Sequence, residues 1–315
     1  MPSSMTSPSP TSPIIRAVAE QFVASVIRLD PPSVPTQSVT TQSVTTSATN
    51  QLGSGQDFVT HGKIKGKFDY LVVADGHGRG KITAMLSSPT FDWDKIVMND
   101  TGQTILAAIN KEILLNVLDT YHDGSTLTIV KIFPTEIVAY WMGDSQAQIK
   151  INDKHYKTKN DNASSFTKEI EEGTISVAKP HWSQHILNDT DVTVIEAYYF
   201  ELTNGEKLAM LRALGHEFHT IQTMNEMTVP IALDDEVSIL VATDGLWDVV
   251  YEPDLLSKFP EYDAMDFTKL ASDRWFQEWN YIVPSIFKDA NGNTYPTEKT
   301  KLDSADDVGV VVYKR

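Results

Sequence analysis

The chain has 315 residues, 26 basic and 42 acidic, for a net charge of −16, and 41% are hydrophobic. That length can bury a full core, and the acidic excess argues against nucleic-acid or anionic-membrane partners, whose phosphates need a basic face. With no cysteine, a disulfide framework, a thiolate zinc site and a cysteine nucleophile are excluded. In chain order, the opening MPSSMTSPSP lacks a basic region followed by an apolar core, so no secretory signal is expected. Residues 1–13 are rich in Ser, Pro and Thr, and no charged residue occurs from Pro31 to Gln56. Residues 1–50 therefore read as a tail or linker, because such composition cannot offset its ordering entropy. Inside it, Ile14/Val18/Phe22/Val26 and Ile15/Ala19/Val23/Ile27 form two adjacent ridges, predicting an amphipathic helix over Ile14–Leu29 that docks on the domain or binds a partner. From about residue 51 to 315 the pattern is globular. Strands are predicted at Phe68–Ala74, Thr126–Phe133, Ile137–Met142, Ala147–Ile151, Val237–Thr243 and Val308–Tyr313. Helices are predicted at Thr101–Tyr121, with an apolar stripe from Ile105 to Tyr121, and at Phe267–Ile282, where Trp275 and Trp279 stand at i+4. Hairpins interrupted by long helices predict an α+β layered sandwich. No run of 18 apolar residues predicts a membrane span, so a soluble intracellular protein, cytoplasmic or nuclear, is expected.

Three apolar strands end in an aspartate. The first runs into Asp75-Gly76-His77-Gly78, the second into Gly143-Asp144-Ser145, and the third into Asp244-Gly245-Leu246-Trp247-Asp248. A further pair, Asp306-Asp307, precedes the last strand. Carboxylates at strand ends beside glycines suit a hard, oxygen-liganded cation. Taken singly, each is equally a turn signal, and Asp248 could belong to a helix terminus.

The order of these motifs changes that balance. Gln56-Asp57, LVVADGHG (71–78), GSTLTIV (124–130), YWMGDSQ (140–146), RALG (212–215), LVATDGLWDVV (240–250) and ADDVGVVV (305–312) together resemble the PP2C (PPM) family of metal-dependent protein phosphatases. The resemblance spans about residues 56–313 and implies a PP2C-like four-layer α/β/β/α sandwich with two central antiparallel sheets. It implies a Mg²⁺- or Mn²⁺-dependent protein serine/threonine phosphatase, a monomer acting on phosphorylated proteins by direct attack of a metal-bridging hydroxide. On the matching positions, Asp75 would bridge two ions and Gly76 would offer its carbonyl. Asp244 and Asp306 would complete the shell, and Asp57 would hold metal-bound water. Asp144 and Asp248, with Asp244, would match a third-metal position. His77 would be the general acid for the departing seryl or threonyl oxygen, its plainer role being a structural histidine that supports the metal site without touching substrate.

The sequence also departs from the family pattern. Where the family has Arg-x-x-x-Glu-Asp, this chain has Leu52 and Gln56 before Asp57, so the arginine that grips phosphate is missing. Arg79 and Lys63 are the candidate replacements, with Lys65 beside the latter. His216 follows RALG in place of the family's aspartate. The missing arginine keeps a rival in view, a PP2C-like pseudophosphatase that binds phosphoproteins as a regulatory module. Two weaker signals are His181-x-x-x-His185, spaced for a metal on a helix, and Asp289–Asn293, faintly similar to a calcium loop but read as a turn.

Overall fold

Two five-stranded antiparallel sheets carry the fold. One has the order β1 (Ser43–Thr49), β18 (Val308–Lys314), β15 (Val237–Ala242), β8 (Gln146–Ile151), β9 (Lys154–Lys157). The other has the order β14 (Asn225–Pro230), β7 (Glu136–Met142), β6 (Leu127–Ile132), β3 (Phe68–Ala74), β2 (Phe58–Ile64). A small sheet, β13 (Leu214–Gly215), β5 (Gly124–Ser125), β4 (Gly76–His77), adjoins the ends of the second. A further sheet has the order β12 (Lys207–Leu208), β11 (Val192–Leu202), β10 (Ile175–Leu187), β16 (Glu278–Ile282), β17 (Glu298–Lys301). The computed structural model describes residues 42–49, 55–117, 120, 123–159, 166–173, 175–187, 192–203, 205, 207–208, 210–215, 221–250, 252–282, 298–301 and 305–315. The predicted helix at Ile14–Leu29, Leu52 and the Asp289–Asn293 turn lie outside these residues.

The two main sheets pack face to face, and helices cover both outer faces. Strand β3 shows why its sequence is apolar at nearly every position. Leu71 and Val73 face the opposite sheet, meeting Ile239, Val241, Val311 and Tyr313. Tyr70, Val72 and Ala74 point the other way, onto α1 (Lys81–Leu86), α2 (Trp93–Val97) and α3 (Gly102–Asn116). The alternation of side chains along a strand thus feeds two cores at once. On the far side, Leu240, Ala242, Val310 and Val312 pack against α5 (Asp244–Trp247), α6 (Glu252–Lys258) and α7 (Ala264–Trp275). A short α4 (Thr167–Glu171) precedes β10. This is the expected α/β/β/α layering. Leu71 is fully buried, so Leu71→Ala would cost about 2–5 kcal/mol.

Helix α3 starts where Thr101 and Thr104 cap each other reciprocally, and it buries Ile105, Ile109 and Ile113 as the stripe predicts. It ends at Asn116, short of the predicted Tyr121. The second predicted helix needs a larger correction. Asp263 caps its start by accepting from Met265 N (2.8 Å) and Asp266 N (3.0 Å), so α7 begins three residues before Phe267. It stops at Trp275, and Glu278–Ile282 is a strand, so Trp275 and Trp279 share no helical face. The β-prone EWNYI won over an accidental i+4 spacing. His181 and His185 likewise fall in strand β10, so their helical ligand spacing is not realised.

The linker reading fails for residues 43–49. Strand β1 pairs with β18 along its whole length, from Ser43↔Lys314 to Thr49↔Val308. Its Val44 packs against the inter-sheet core, and Thr45 Oγ1 accepts a hydrogen bond from Ala264 N at 3.1 Å. A Ser/Thr/Val segment cannot bury a core of its own, but a neighbouring strand supplies the partners that composition alone does not show. Among the described residues, no helix is long and apolar enough to cross a membrane.

Candidate metal centre

Strand registers bring the aspartates together at one end of the sandwich. In the second sheet, Phe58 pairs with Ala74, so Asp57 and Asp75 extend side by side from β2 and β3. Leu127 pairs with Met142, which puts the Gly143-Asp144-Ser145 turn at the same end. In the first sheet, Ala242 pairs with both Gln146 and Val310, so Asp144, Asp244 and Asp306 also lie at one end. Gly143 has φ +85°, a left-handed conformation that glycine adopts without strain, and the chain turns there to present Asp144.

Ligand atoms of Asp75, Asp144 and Asp244 lie within 4.8 Å of one another, and all three residues are half-buried. Asp57 is buried beside them. Asp248 sits one helical turn after Asp244, its N–H donating to the Asp244 carbonyl at 2.8 Å. Gly76 follows Asp75 in β4, and a Cβ there would stand 2.4 Å from Thr83 Oγ1. His77 pairs with Gly124 across β4 and β5 and is half-buried. Of the ligand set expected at the sequence level, the tight triad is therefore Asp75, Asp144 and Asp244, with Asp57, Asp248 and Asp306 in electrostatic reach.

Hydroxyl groups hold this cluster in shape. Thr243 Oγ1 donates to Asp57 Oδ2 at 2.7 Å and accepts from Gly309 N at 2.9 Å. Thr126 Oγ1 accepts from Asp75 N at 2.9 Å and shares a 2.6 Å hydrogen bond with Ser145 Oγ. Thr128 Oγ1 donates to Ser145 O at 2.8 Å. All four hydroxyl residues are fully buried. None of them stood out in the sequence, because each partner lies on another segment of the chain. A threonine immediately before a strand-end aspartate, as in Thr243-Asp244, was the only local hint.

Burial and mutual repulsion dominate the electrostatics. Desolvation, opposed by the Thr243 hydrogen bond and reinforced by Asp306 and Asp307, pushes Asp57 up to about 7. Asp248 is also pushed up to about 7, by burial and then by Asp144 and Asp306. Asp75 and Asp244 are held well above the usual carboxylate range, first by burial and then by neighbouring aspartates. Asp306 is raised mainly by burial. One oxygen of Asp244, Oδ1, is buried without a hydrogen-bond partner. An oxygen-only set of crowded carboxylates with an orphaned buried oxygen fits a hard divalent cation such as Mg²⁺ or Mn²⁺.

The two candidate phosphate-binding cations part company. Lys63 pairs with Asp69 at 3.2 Å, and the register Lys63↔Asp69 puts it five residues along the strand from Phe58. That is about 17 Å from the aspartate end, so Lys63 is no part of the site. Lys65, in the turn beyond, is farther still. Arg79 is two residues past His77. Its backbone N–H donates to Asp123 Oδ1, and its Nε donates to Oδ2 at 3.1 Å. Asp123 is fully buried, while the Arg79 side chain is half-exposed. Lys81 Nζ lies 3.9 Å from the same carboxylate.

No family model matches the sequence, and no curated protein matches it. Solved structures do resemble the fold. A serine-threonine phosphatase 2C from Toxoplasma gondii superposes with a TM-score of 0.52 at 12% identity, over 87% of this chain and 94% of that one. A C. elegans sex determining protein gives 0.51 at 18% identity, over 96% of this chain and 70% of that one. The S. agalactiae serine/threonine phosphatase gives 0.50 at 14% identity, over 87% and 99%. Both the layering and these likenesses lead to one conclusion: the chain has the fold of the PP2C-type serine/threonine phosphatases.

Proposed function

We propose that the chain is a member of the PP2C (PPM) family and acts as a Mg²⁺- or Mn²⁺-dependent protein serine/threonine phosphatase. The observation that carries this reading is the convergence of Asp75, Asp144 and Asp244 at one end of a PP2C-type sandwich. Asp57, Asp75, Asp244, Asp306 and the Gly76 carbonyl would hold two cations, and Asp144 and Asp248 with Asp244 a third. When bound, the cations supply Lewis-acid stabilisation of phosphoryl charge and activation of water as the nucleophile. The chain's own groups do the rest. Thr243 and Thr126 fix the Asp57 side chain and the Asp75 backbone, so the ligands are set before substrate arrives. His77, one residue beyond the Gly76 carbonyl, gives its proton to the departing seryl or threonyl oxygen. Arg79, aimed by Asp123, takes a phosphate oxygen in place of the absent family arginine.

The test is phosphate release from a phosphoserine peptide with Mn²⁺, with chelator, and in Asp75→Asn. Release that needs both Mn²⁺ and Asp75 supports the reading. A wild-type chain that binds Mn²⁺ and the peptide but releases no phosphate above the Asp75→Asn background would overturn it in favour of a pseudophosphatase.

A further inference from the structure

Asp307 touches three of the segments that bring carboxylates to the centre. Its side chain is buried, with 2% of the residue exposed. Its Oδ2 accepts from Gly55 N at 2.5 Å and from Gln56 N at 3.1 Å, the two residues that lead into Asp57. Its own N–H donates to Asp306 Oδ1 at 2.8 Å. Its carbonyl oxygen lies so close to Gly245 that a Cβ there would stand 1.9 Å from it, and Gly245 follows Asp244. One residue therefore contacts the carriers of Asp57, Asp244 and Asp306.

We infer that Asp307 is a positioning residue of the metal centre, whose buried carboxylate fixes the 55–57 segment against Asp244 and Asp306. The inference rests on the metal-site reading above. Two contacts anchor Asp57 from different sides. Thr243 orients its carboxylate, and Asp307 sets its backbone through two successive N–H groups that converge on one oxygen. Gln56 carries the constraint onward, because its Nε2 donates to Gly78 O at 3.2 Å and ties the segment to the loop beyond His77. With Asp307 truncated, two N–H groups lose their acceptor and the approach of Asp57 to the cluster loosens. The Asp306 carboxylate loses no donor, since the donor is backbone.

The role differs from that of a ligand in a way that can be measured. The Oδ1 of asparagine can still accept from Gly55 and Gln56, but a neutral amide is a poor replacement for a carboxylate on a cation. The full chain is titrated with Mn²⁺, free ion being followed by electron paramagnetic resonance, for wild type, Asp307→Ala and Asp307→Asn. Truncation should weaken binding about 10- to 100-fold, the usual range for residues that orient ligands, and asparagine should recover most of it. Wild-type affinity in Asp307→Ala, or equal losses in both variants, overturns the inference. If the alanine variant does not fold, amide exchange of Gly55 and Gln56 in wild type decides. It should slow when Mn²⁺ binds, and unchanged exchange counts against the proposal. A wild-type chain that binds no Mn²⁺ overturns both this inference and the phosphatase reading. One that binds Mn²⁺ tightly without hydrolysing phosphopeptide overturns only the latter.

Discussion

The Thr243 hydroxyl donates a 2.7 Å hydrogen bond to Asp57 Oδ2, joining the end of β15 in one sheet to the start of β2 in the other. Valine keeps the shape of threonine but removes this hydroxyl donor from the Asp57 carboxylate. Thr243→Val should therefore destabilise the fold by about 1–3 kcal/mol and weaken Mn²⁺ binding, while Thr243→Ser should restore both. Melting and Mn²⁺ titration of the three proteins check it, and a valine variant that matches wild type in both would contradict the role.

Divalent cation should stabilise the fold, because it relieves repulsion among aspartates that burial has already brought together. Mass action gives about 2.7 kcal/mol at a free concentration 100 times Kd. The melting temperature should rise with Mn²⁺ and fall back with chelator, and Asp75→Asn combined with Asp244→Asn should abolish the difference. An identical melting temperature in all four samples would sink the metal assignment.

The same aspartates set the pH dependence of the cation-free protein. Asp57 and Asp248 are pushed up to about 7, against about 4 in an unfolded chain, so the folded state holds protons that the unfolded state releases. Their stabilising contribution is complete below about pH 4 and is lost as pH rises through about 7. In chelator, the melting temperature should fall between pH 5 and 8. Saturating Mn²⁺ should remove that fall, since the cation then replaces the protons. A melting temperature in chelator that is level or rising over this interval would refute the crowding argument.

Lys131 should give the opposite trend at higher pH. It is buried on β6, donates to Asn99 O at 2.6 Å, and lies over the rings of Phe68 and Tyr140. Burial, against the opposing pull of Asp100 and Glu226, lowers it from 10.5 to about 8. Its charged form therefore costs stability below about pH 8, and the cost fades as pH rises toward 10.5. The stability of wild type relative to Lys131→Met should improve from pH 7 to pH 10, as read from urea midpoints. A constant gap would mean that Lys131 titrates normally.

Arg79→Ala should raise KM for p-nitrophenyl phosphate about 10- to 150-fold, the worth of one charge-assisted contact to an anion. Its kcat should change much less. His77→Gln should depress turnover of a phosphoserine peptide but spare p-nitrophenyl phosphate, whose leaving group departs without a proton. Steady-state kinetics on both substrates separates the two roles. Equal losses on both substrates in His77→Gln would mark a structural histidine.

Asp75, Asp144 and Asp244 were legible because each sits where an apolar run stops, and six strands could be placed from β-branched runs alone. Their grouping was not derivable from spacing. It depends on registers such as Phe58↔Ala74 and Ala242↔Val310 that no local pattern encodes. The anchoring roles of Thr126, Ser145, Thr243 and Asp307 could not be read for the same reason, their partners lying on other segments. Lys63 looked plausible by sequence distance but points along the wrong end of its strand. Strand β1 was missed because composition measures what a segment can bury alone, and an edge strand is completed by its neighbour.

That edge strand decides where the molecule can be cut. The rim of β18 that faces β1 belongs to the run Val-Gly-Val-Val-Val-Tyr, whose backbone would otherwise be open to any passing strand. Trimming the polar leader at residue 50, where composition alone suggests a boundary, would strip away this cover and invite edge-to-edge aggregation. The Ser/Thr-rich strand Ser43–Thr49 is thus a guard strip, polar enough along its length to cover the apolar neighbour without inviting a second copy.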